Sequence, residues 1–182
     1  MSAALSLADP VDALNLRARA KGWTFTCERG AKFDCAKLTA ACALWQSQAA
    51  PGRLPARPAF TARMMKDFLP ELSIMEIVRA DGANRFRHRL MGTGIVRYMG
   101  EMTGMFMDEY LPQPALERTL MGYQAVIDAR CPLRFVTRFT LDPISYLSAE
   151  IFAAPLASNG VTIDMMMSVT DFRRPGRPQS AA

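Results

Sequence analysis

The chain has 182 residues, a length typical of one domain with extensions. Half of the residues are hydrophobic and only 21% are charged, so the sequence can build a core and differs from a disordered chain. The formal net charge is +5, but no run of Lys and Arg with interleaved aromatic residues occurs. The composition therefore favours a solvated surface with a basic tail over a nucleic-acid-binding protein.

The amino terminus and the cysteines indicate a compartment. Residues 1–5 lack the basic and apolar regions of a secretory signal, and no apolar run reaches the roughly 20 residues that span a bilayer. The cysteines are Cys27, Cys35, Cys42 and Cys131, and their spacing matches no zinc pattern. We therefore expect a cytoplasmic protein with reduced thiols and no metal site; two disulfides are the alternative.

The first 33 residues are heterogeneous and predict a partly ordered extension, with a short helix after Asp9 and a short extended piece near Phe25. Residues 34–49 predict a helix that Asp34 caps. One face of this helix is apolar and consists of Leu38, Ala41, Cys42 and Trp45. We expect Leu38 and Trp45 to form a surface that docks a partner.

The next part of the chain alternates with the period of a β-strand. Residues 73–80 and 86–91 predict a hairpin around a turn at 81–84. One face of its second strand carries Phe86, His88 and Leu90. The other face carries Arg87 and Arg89, which would lie in solvent, or would bind an anion if the strand were turned over.

Short helices are predicted after this hairpin. One follows Gly92-Thr93-Gly94 and ends at Gly100, and another short piece follows Thr103-Gly104. A longer helix has Pro114 in its first turn, where the missing N–H group is harmless.

Three more strands complete the predicted domain, at 133–141, 146–154 and 161–170, with a hairpin turn at Asn159-Gly160. The fold class is therefore α+β, with a five-stranded antiparallel sheet and helices on one face. A pocket for a small apolar ligand is a further hypothesis, and a filled core is its alternative. Its wall would include Phe135, Phe139, Met165 and Met167.

Four segments in this order resemble the PAS domain, and in particular a subfamily of short bacterial stand-alone PAS proteins. Residues 86–93 read F-R-H-R-L-M-G-T and are similar to the F-R-Y-R-L-V-G-T motif of that subfamily. The other similar segments are Trp45 with 52–57 and 68–72, Thr103-Gly104 with Asp108-Glu109, and Tyr123 through Pro132. The resemblance covers about residues 38–172. His88 replaces a common tyrosine, and Met105 replaces a common basic residue.

The resemblance implies a non-catalytic sensory and signal-transduction module at 34–172. The basic composition after it predicts a disordered tail at 173–182. Such modules bind a small ligand or a protein partner and often form homodimers; a ligand-free dimerisation or scaffold domain is the alternative. The candidate pocket comprises Phe86, His88, Arg89, Leu90, Phe135, Phe139, Met165 and Met167, and the motif positions are Gly92, Thr93 and Gly104.

Cofactors and catalysis are not expected. Haem would need an axial ligand, and His88 is the single histidine of the chain. A covalent flavin would need a cysteine in the helix between Gly94 and Gly100, where none occurs. No nucleophile, metalloprotease or nucleotide-binding fingerprint is present, so the cofactor stays unknown and an enzyme is not predicted.

Overall fold

The computed structural model describes residues 9–30, 32–80, 82–142 and 145–173. The helices of this part are α1 (Pro10–Ala20), α2 (Ala36–Gln48), α3 (Thr93–Met99) and α4 (Gln113–Ala129). The strands are β1 (Phe25–Arg29), β2 (Leu72–Ala80), β3 (Ala83–Met91), β4 (Leu133–Asp142), β5 (Ser145–Leu156) and β6 (Met165–Arg173). Single turns of 3-10 helix lie at Arg57–Ala59, Leu69–Glu71 and Met107–Glu109.

The strands form one antiparallel sheet in the order β1-β4-β5-β6-β2-β3, so the described residues contain six strands where the sequence predicted five. The additional strand is β1, which comes from the predicted extension and pairs with β4. The side chain of Asn15 on α1 contacts both the N–H group and the carbonyl of Cys27, at 2.8 and 2.7 Å. Helix α1 therefore protects the outer edge of β1.

Helices cover both faces of the sheet, and the prediction that they lie on one face is wrong. Helices α1 and α4 pack on one face, which we call the α4 face, and α2 packs on the other, which we call the α2 face. The physical reason is visible in β5, where Ala153 lies on the α4 face while Phe152 and Ala154 lie on the α2 face. A strand that is apolar on both sides needs a covering layer on both sides.

A β-bulge in β3 changes which side chains share a face. Ile74 of β2 pairs with Leu90, but its neighbour Met75 pairs with His88, so Arg89 is an extra residue. Phe86 and His88 therefore point to the α4 face, whereas Leu90 packs against the α2 face. The prediction that Leu90 shares a face with Phe86 and His88 is wrong, because the bulge shifts the alternation by one position.

The connection between β5 and β6 is longer than the predicted hairpin. Strand β6 begins at Met165 and not at residue 161. The Asn159 side chain instead closes a local turn, since its Oδ1 accepts hydrogen bonds from the N–H groups of Val161 and Thr162 at 2.9 and 2.7 Å. The Asn159-Gly160 pair therefore forms a turn within the longer loop between β5 and β6.

A buried carboxylate joins α2 to the sheet. Glu150 of β5 is 2% exposed, and its oxygens accept hydrogen bonds from Arg134 Nε at 2.6 Å and Arg173 Nη2 at 2.8 Å. The same carboxylate accepts from the N–H groups of Asp34 and Cys35, just before α2. The predicted cap by Asp34 is wrong, because the Asp34 carboxylate binds Arg134 instead. We call these residues the Glu150 network.

Candidate functional site

A cavity of about 160 Å³ lies between the α4 face of the sheet and helices α3 and α4. Protein cores contain few voids larger than one water molecule, so a space of this size is a departure from ordinary packing. Its wall is mainly apolar, and polar groups occur at a small number of places. This combination is typical of a small-molecule site.

The apolar part of the wall is rich in methionine. Met91 lies at the end of β3, Met99 in α3, and Met102 and Met107 in the segment before α4. This segment is attached to β3 by backbone hydrogen bonds, in which the Gly104 N–H group donates to the His88 carbonyl at 2.8 Å. Methionine side chains are flexible and polarisable, so this wall can adapt to the shape of a guest.

The three motif positions lie at the start of α3 and in the segment before α4. Thr93 is the first residue of α3, and a Cβ atom at Gly92 would lie 2.6 Å from the carbonyl carbon of Pro70, so only glycine fits there. Gly104 has a φ of 89°, a backbone conformation that favours glycine. These residues shape the wall and do not themselves line the cavity.

A buried hydroxyl group lacks a partner in the wall. Thr137 of β4 is 4% exposed, and its Oγ1 forms no hydrogen bond with any residue that the structure describes. Leaving a buried hydroxyl unsatisfied costs about 1–3 kcal/mol, so such groups usually meet a water molecule or a ligand. Ser168 and Thr170 of β6 add two further buried hydroxyl side chains to the wall.

His88 and Tyr110 form a second polar group at the β3 side of the cavity. His88 Nε2 lies 2.6 Å from the Tyr110 hydroxyl, and His88 Nδ1 lies 3.5 Å from Ser73 Oγ. Burial lowers the pKa of His88, and the charge of Glu101 opposes this effect only in part. Burial also raises the pKa of Tyr110 to about 12. The pair is therefore uncharged at neutral pH.

Arg118 of α4 brings a positive charge to the cavity. It is half-buried, and burial lowers the pKa of its guanidinium group below the ordinary value. None of the described residues that line the cavity is Asp or Glu. Among the described residues, this mainly apolar wall therefore carries the positive charge of Arg118 and no carboxylate.

The structure brings two of the predicted pocket residues to the cavity, namely His88 and Phe135. Phe86 lies on the same face but packs against Tyr123, with ring centroids 5.2 Å apart. Leu90, Met165 and Met167 pack on the α2 face, so placing them in the same pocket is wrong. Arg89 is exposed at the bulge. The side chain of Phe139 lies outside the part of the chain that the structure describes.

The predicted docking residues are part of the core. Leu38 and Trp45 are 0% and 6% exposed, and the Trp45 indole N–H donates to the Pro155 carbonyl at 2.9 Å. The prediction that they form an accessible surface needs correction, because the apolar face of α2 is the face that covers the sheet. Leu38 and Trp45 do lie on one apolar face of α2, but that face packs against the sheet.

Thr137 and Arg118 are two of the site residues that the sequence analysis missed, and the wall methionines, Tyr110, Ser168 and Thr170 are others. Thr137 stands two positions after Phe135 in a strand whose alternate residues are buried, which was a usable signal. Arg118 had no such signal, because a single charge on a helix ordinarily faces solvent.

The thiols and the helices give further chemical information. All four cysteines are free, and burial raises the pKa of Cys27 to about 12, so this thiol is not a nucleophile at neutral pH. Among the described residues, no cluster of His, Cys, Asp or Glu could hold a metal ion. In the same part of the chain, no helix is both long and apolar enough to cross a membrane.

Comparison with known proteins leaves the chain without an assigned family. No protein-family model matches it, and no curated protein sequence is similar to it. The resemblance to PAS domains therefore stays a prediction from the sequence segments, beside an observed α+β fold with a six-stranded antiparallel sheet.

Proposed function

We propose that this protein is a non-catalytic sensory module, similar to PAS domains, that binds a small molecule in the cavity and signals through contacts with another protein. The observation that carries the proposal is the partly open cavity of about 160 Å³, whose wall contains the buried Thr137 hydroxyl without a partner among the described residues. Apolar surface left exposed in the cavity and an unsatisfied hydroxyl both destabilise a fold, and a bound ligand reduces both costs.

The arrangement of side chains supports binding over catalysis. The histidine of the cavity is already engaged by Tyr110 and Ser73, and no Asp, Glu or Cys accompanies it in the described wall. Flexible methionines around the cavity suit recognition by shape.

A route for a signal runs along β6. Phe172 lines the cavity, and the adjacent residue Arg173 binds Glu150, which holds the N–H groups at the start of α2. A ligand that moves Phe172 would therefore change the position of α2 relative to the sheet. In this proposal a partner senses that change through contacts.

The proposal is tested by native mass spectrometry of freshly purified protein together with a cavity-filling variant. Ala153→Leu places a larger side chain into the cavity, because Ala153 is fully buried and lines it. We expect a co-purified small molecule on the wild-type protein and none on this variant. Protein that is empty in the mass spectrum, and whose melting temperature is unchanged across a metabolite panel, would leave a ligand-free scaffold as the better account.

A matched control is available at the neighbouring position. Ala154 is equally buried but points to the α2 face, away from the cavity. Ala154→Leu should lower the stability by about 1–3 kcal/mol through overpacking, whereas Ala153→Leu should be tolerated. Equal destabilisation by the two variants would mean that the cavity offers no usable space.

A further inference from the structure

Two polar groups of the cavity, Thr137 and His88, lie on strands that are far apart in the sheet. Thr137 lies on β4 and His88 on β3, and four strand spacings separate these strands in the sheet order. At about 4.8 Å per spacing, the two groups occupy opposite sides of the cavity. A small ligand can therefore bring its polar group to the side of Thr137 or to the side of His88, but not to both.

Thr137 and Arg118 lie at the same side. A Cβ atom at Gly122 of α4 would lie 3.8 Å from the Phe135 ring, which places these two positions opposite each other. Helix α4 and strand β4 are consecutive. Because the chain leaves Gly122 toward the end of α4 and comes back to it at Phe135, the two elements run in roughly opposite directions. Arg118 lies four residues before Gly122, which is about 6 Å along the helix axis. Thr137 lies two residues after Phe135, which is also about 6 Å along the strand.

This side of the cavity suits an anion. The Thr137 hydroxyl is buried without a partner among the described residues, and it can donate a hydrogen bond. An arginine has five N–H donors, so Arg118 can bind a carboxylate in addition to the contact it already makes. Burial disfavours the charge of Arg118, and a bound anion would remove that penalty.

The rest of the cavity wall determines the size and character of the apolar part of the ligand. A cavity of about 150 Å³ in another protein holds benzene, so this one has room for about six carbon atoms. The methionines lie at the end of β3, on α3 and on the segment before α4, and they offer an adaptable apolar surface to the ligand.

We propose that the ligand is a small monocarboxylic acid of about six carbons, whose carboxylate binds Arg118 and Thr137. This inference rests on the proposed ligand-binding function and specifies its ligand class. The chain of the acid lies along the methionine wall.

The test compares three probes with the same six-carbon chain, namely hexanoate, hexan-1-ol and hexylamine, by isothermal titration calorimetry at neutral pH. Hexanoate should bind at least about tenfold more tightly than hexan-1-ol, because a charged hydrogen bond replaces a neutral one. Arg118→Met should weaken hexanoate binding by about tenfold and leave the binding of hexan-1-ol nearly unchanged. Arg19→Met, an equal charge change at an exposed helical position, should have no effect.

Thr137→Val provides a second variant if Arg118→Met fails to fold. Its shape is conserved, and it removes a hydroxyl that has no described partner to lose, so the protein should stay folded while hexanoate binds several-fold more weakly. Equal binding of hexanoate and hexan-1-ol, with both lost in Ala153→Leu, would overturn the carboxylate inference while the ligand-binding function stands. Absence of binding by all probes, on protein that is also empty in native mass spectrometry, would overturn both.

Discussion

The substitution Glu150→Gln tests whether the Glu150 network holds α2 on the sheet. Glutamine keeps the shape of the side chain but turns one acceptor oxygen into an NH₂ donor. In one orientation that donor faces Arg134 Nε and the Asp34 N–H group, and in the other it faces Arg173 Nη2 and the Cys35 N–H group. Two hydrogen bonds to a carboxylate are therefore lost in either orientation.

The expected cost follows from these two bonds. At about 1.5 kcal/mol for each hydrogen bond to a charged group, the loss is about 3 kcal/mol. This lies at the lower end of the range for breaking a buried ion pair. The lower end applies because the Arg173 side chain is 33% exposed, and because Arg134 keeps its bonds to Glu28 and Asp34. For a domain of this size the melting temperature should fall by about 6–12 °C.

The assay is thermal and urea denaturation followed by far-ultraviolet circular dichroism. Glu117→Gln is the matched control, since Glu117 pairs with Arg17 and Lys21 at 3.3 and 3.2 Å on an exposed surface. Exposed pairs contribute about 0–1 kcal/mol, so this control should melt close to the wild type. If Glu150→Gln melts no lower than Glu117→Gln, the Glu150 network does not hold α2 on the sheet.

Burial lowers the pKa of His88 in the folded protein below its usual 6.5, so protonation favours unfolding. Stability should therefore be full above pH 6.5 and decrease as the pH falls below it, and His88→Gln should remove this component from urea titrations at several pH values. Gly122→Ala should raise stability by up to about 1 kcal/mol in thermal melts, because a Cβ atom there meets the Phe25 ring at an ordinary 3.7 Å. Gly92→Ala should instead destabilise the fold by more than about 2 kcal/mol, since its Cβ atom would overlap the Pro70 carbonyl; a neutral result would refute the tight packing of α3.

Local periodicity was enough to predict most elements. The alternation of Leu133, Phe135 and Thr137 with exposed neighbours predicted β4, because a strand places successive side chains on opposite faces. Pro114 and the apolar spacing after it predicted α4 in the same way. These signals are contained within a few residues, so they do not depend on the rest of the chain.

Other features depend on partners that are distant in the sequence. Strand β1 is short, and its extended conformation is stabilised by pairing with β4, about a hundred residues later. The bulge at Arg89 arises from the register between β2 and β3, and nothing in the sequence of β3 alone marks the extra residue. The face assigned to Leu90 was wrong because of this bulge.

The candidate site could likewise be predicted from the sequence only in part. The sequence alone determined that His88 and Phe135 lie in strands with apolar faces, and that a methionine-rich chain can build an adaptable wall. Tertiary structure alone decided that the cavity lies on the α4 face and that Arg118 of α4 and Thr137 of β4 both line it. The physical reason is that alternation defines two faces for each strand, whereas only packing against α2 and α4 decides which of the two faces is filled and which encloses the cavity.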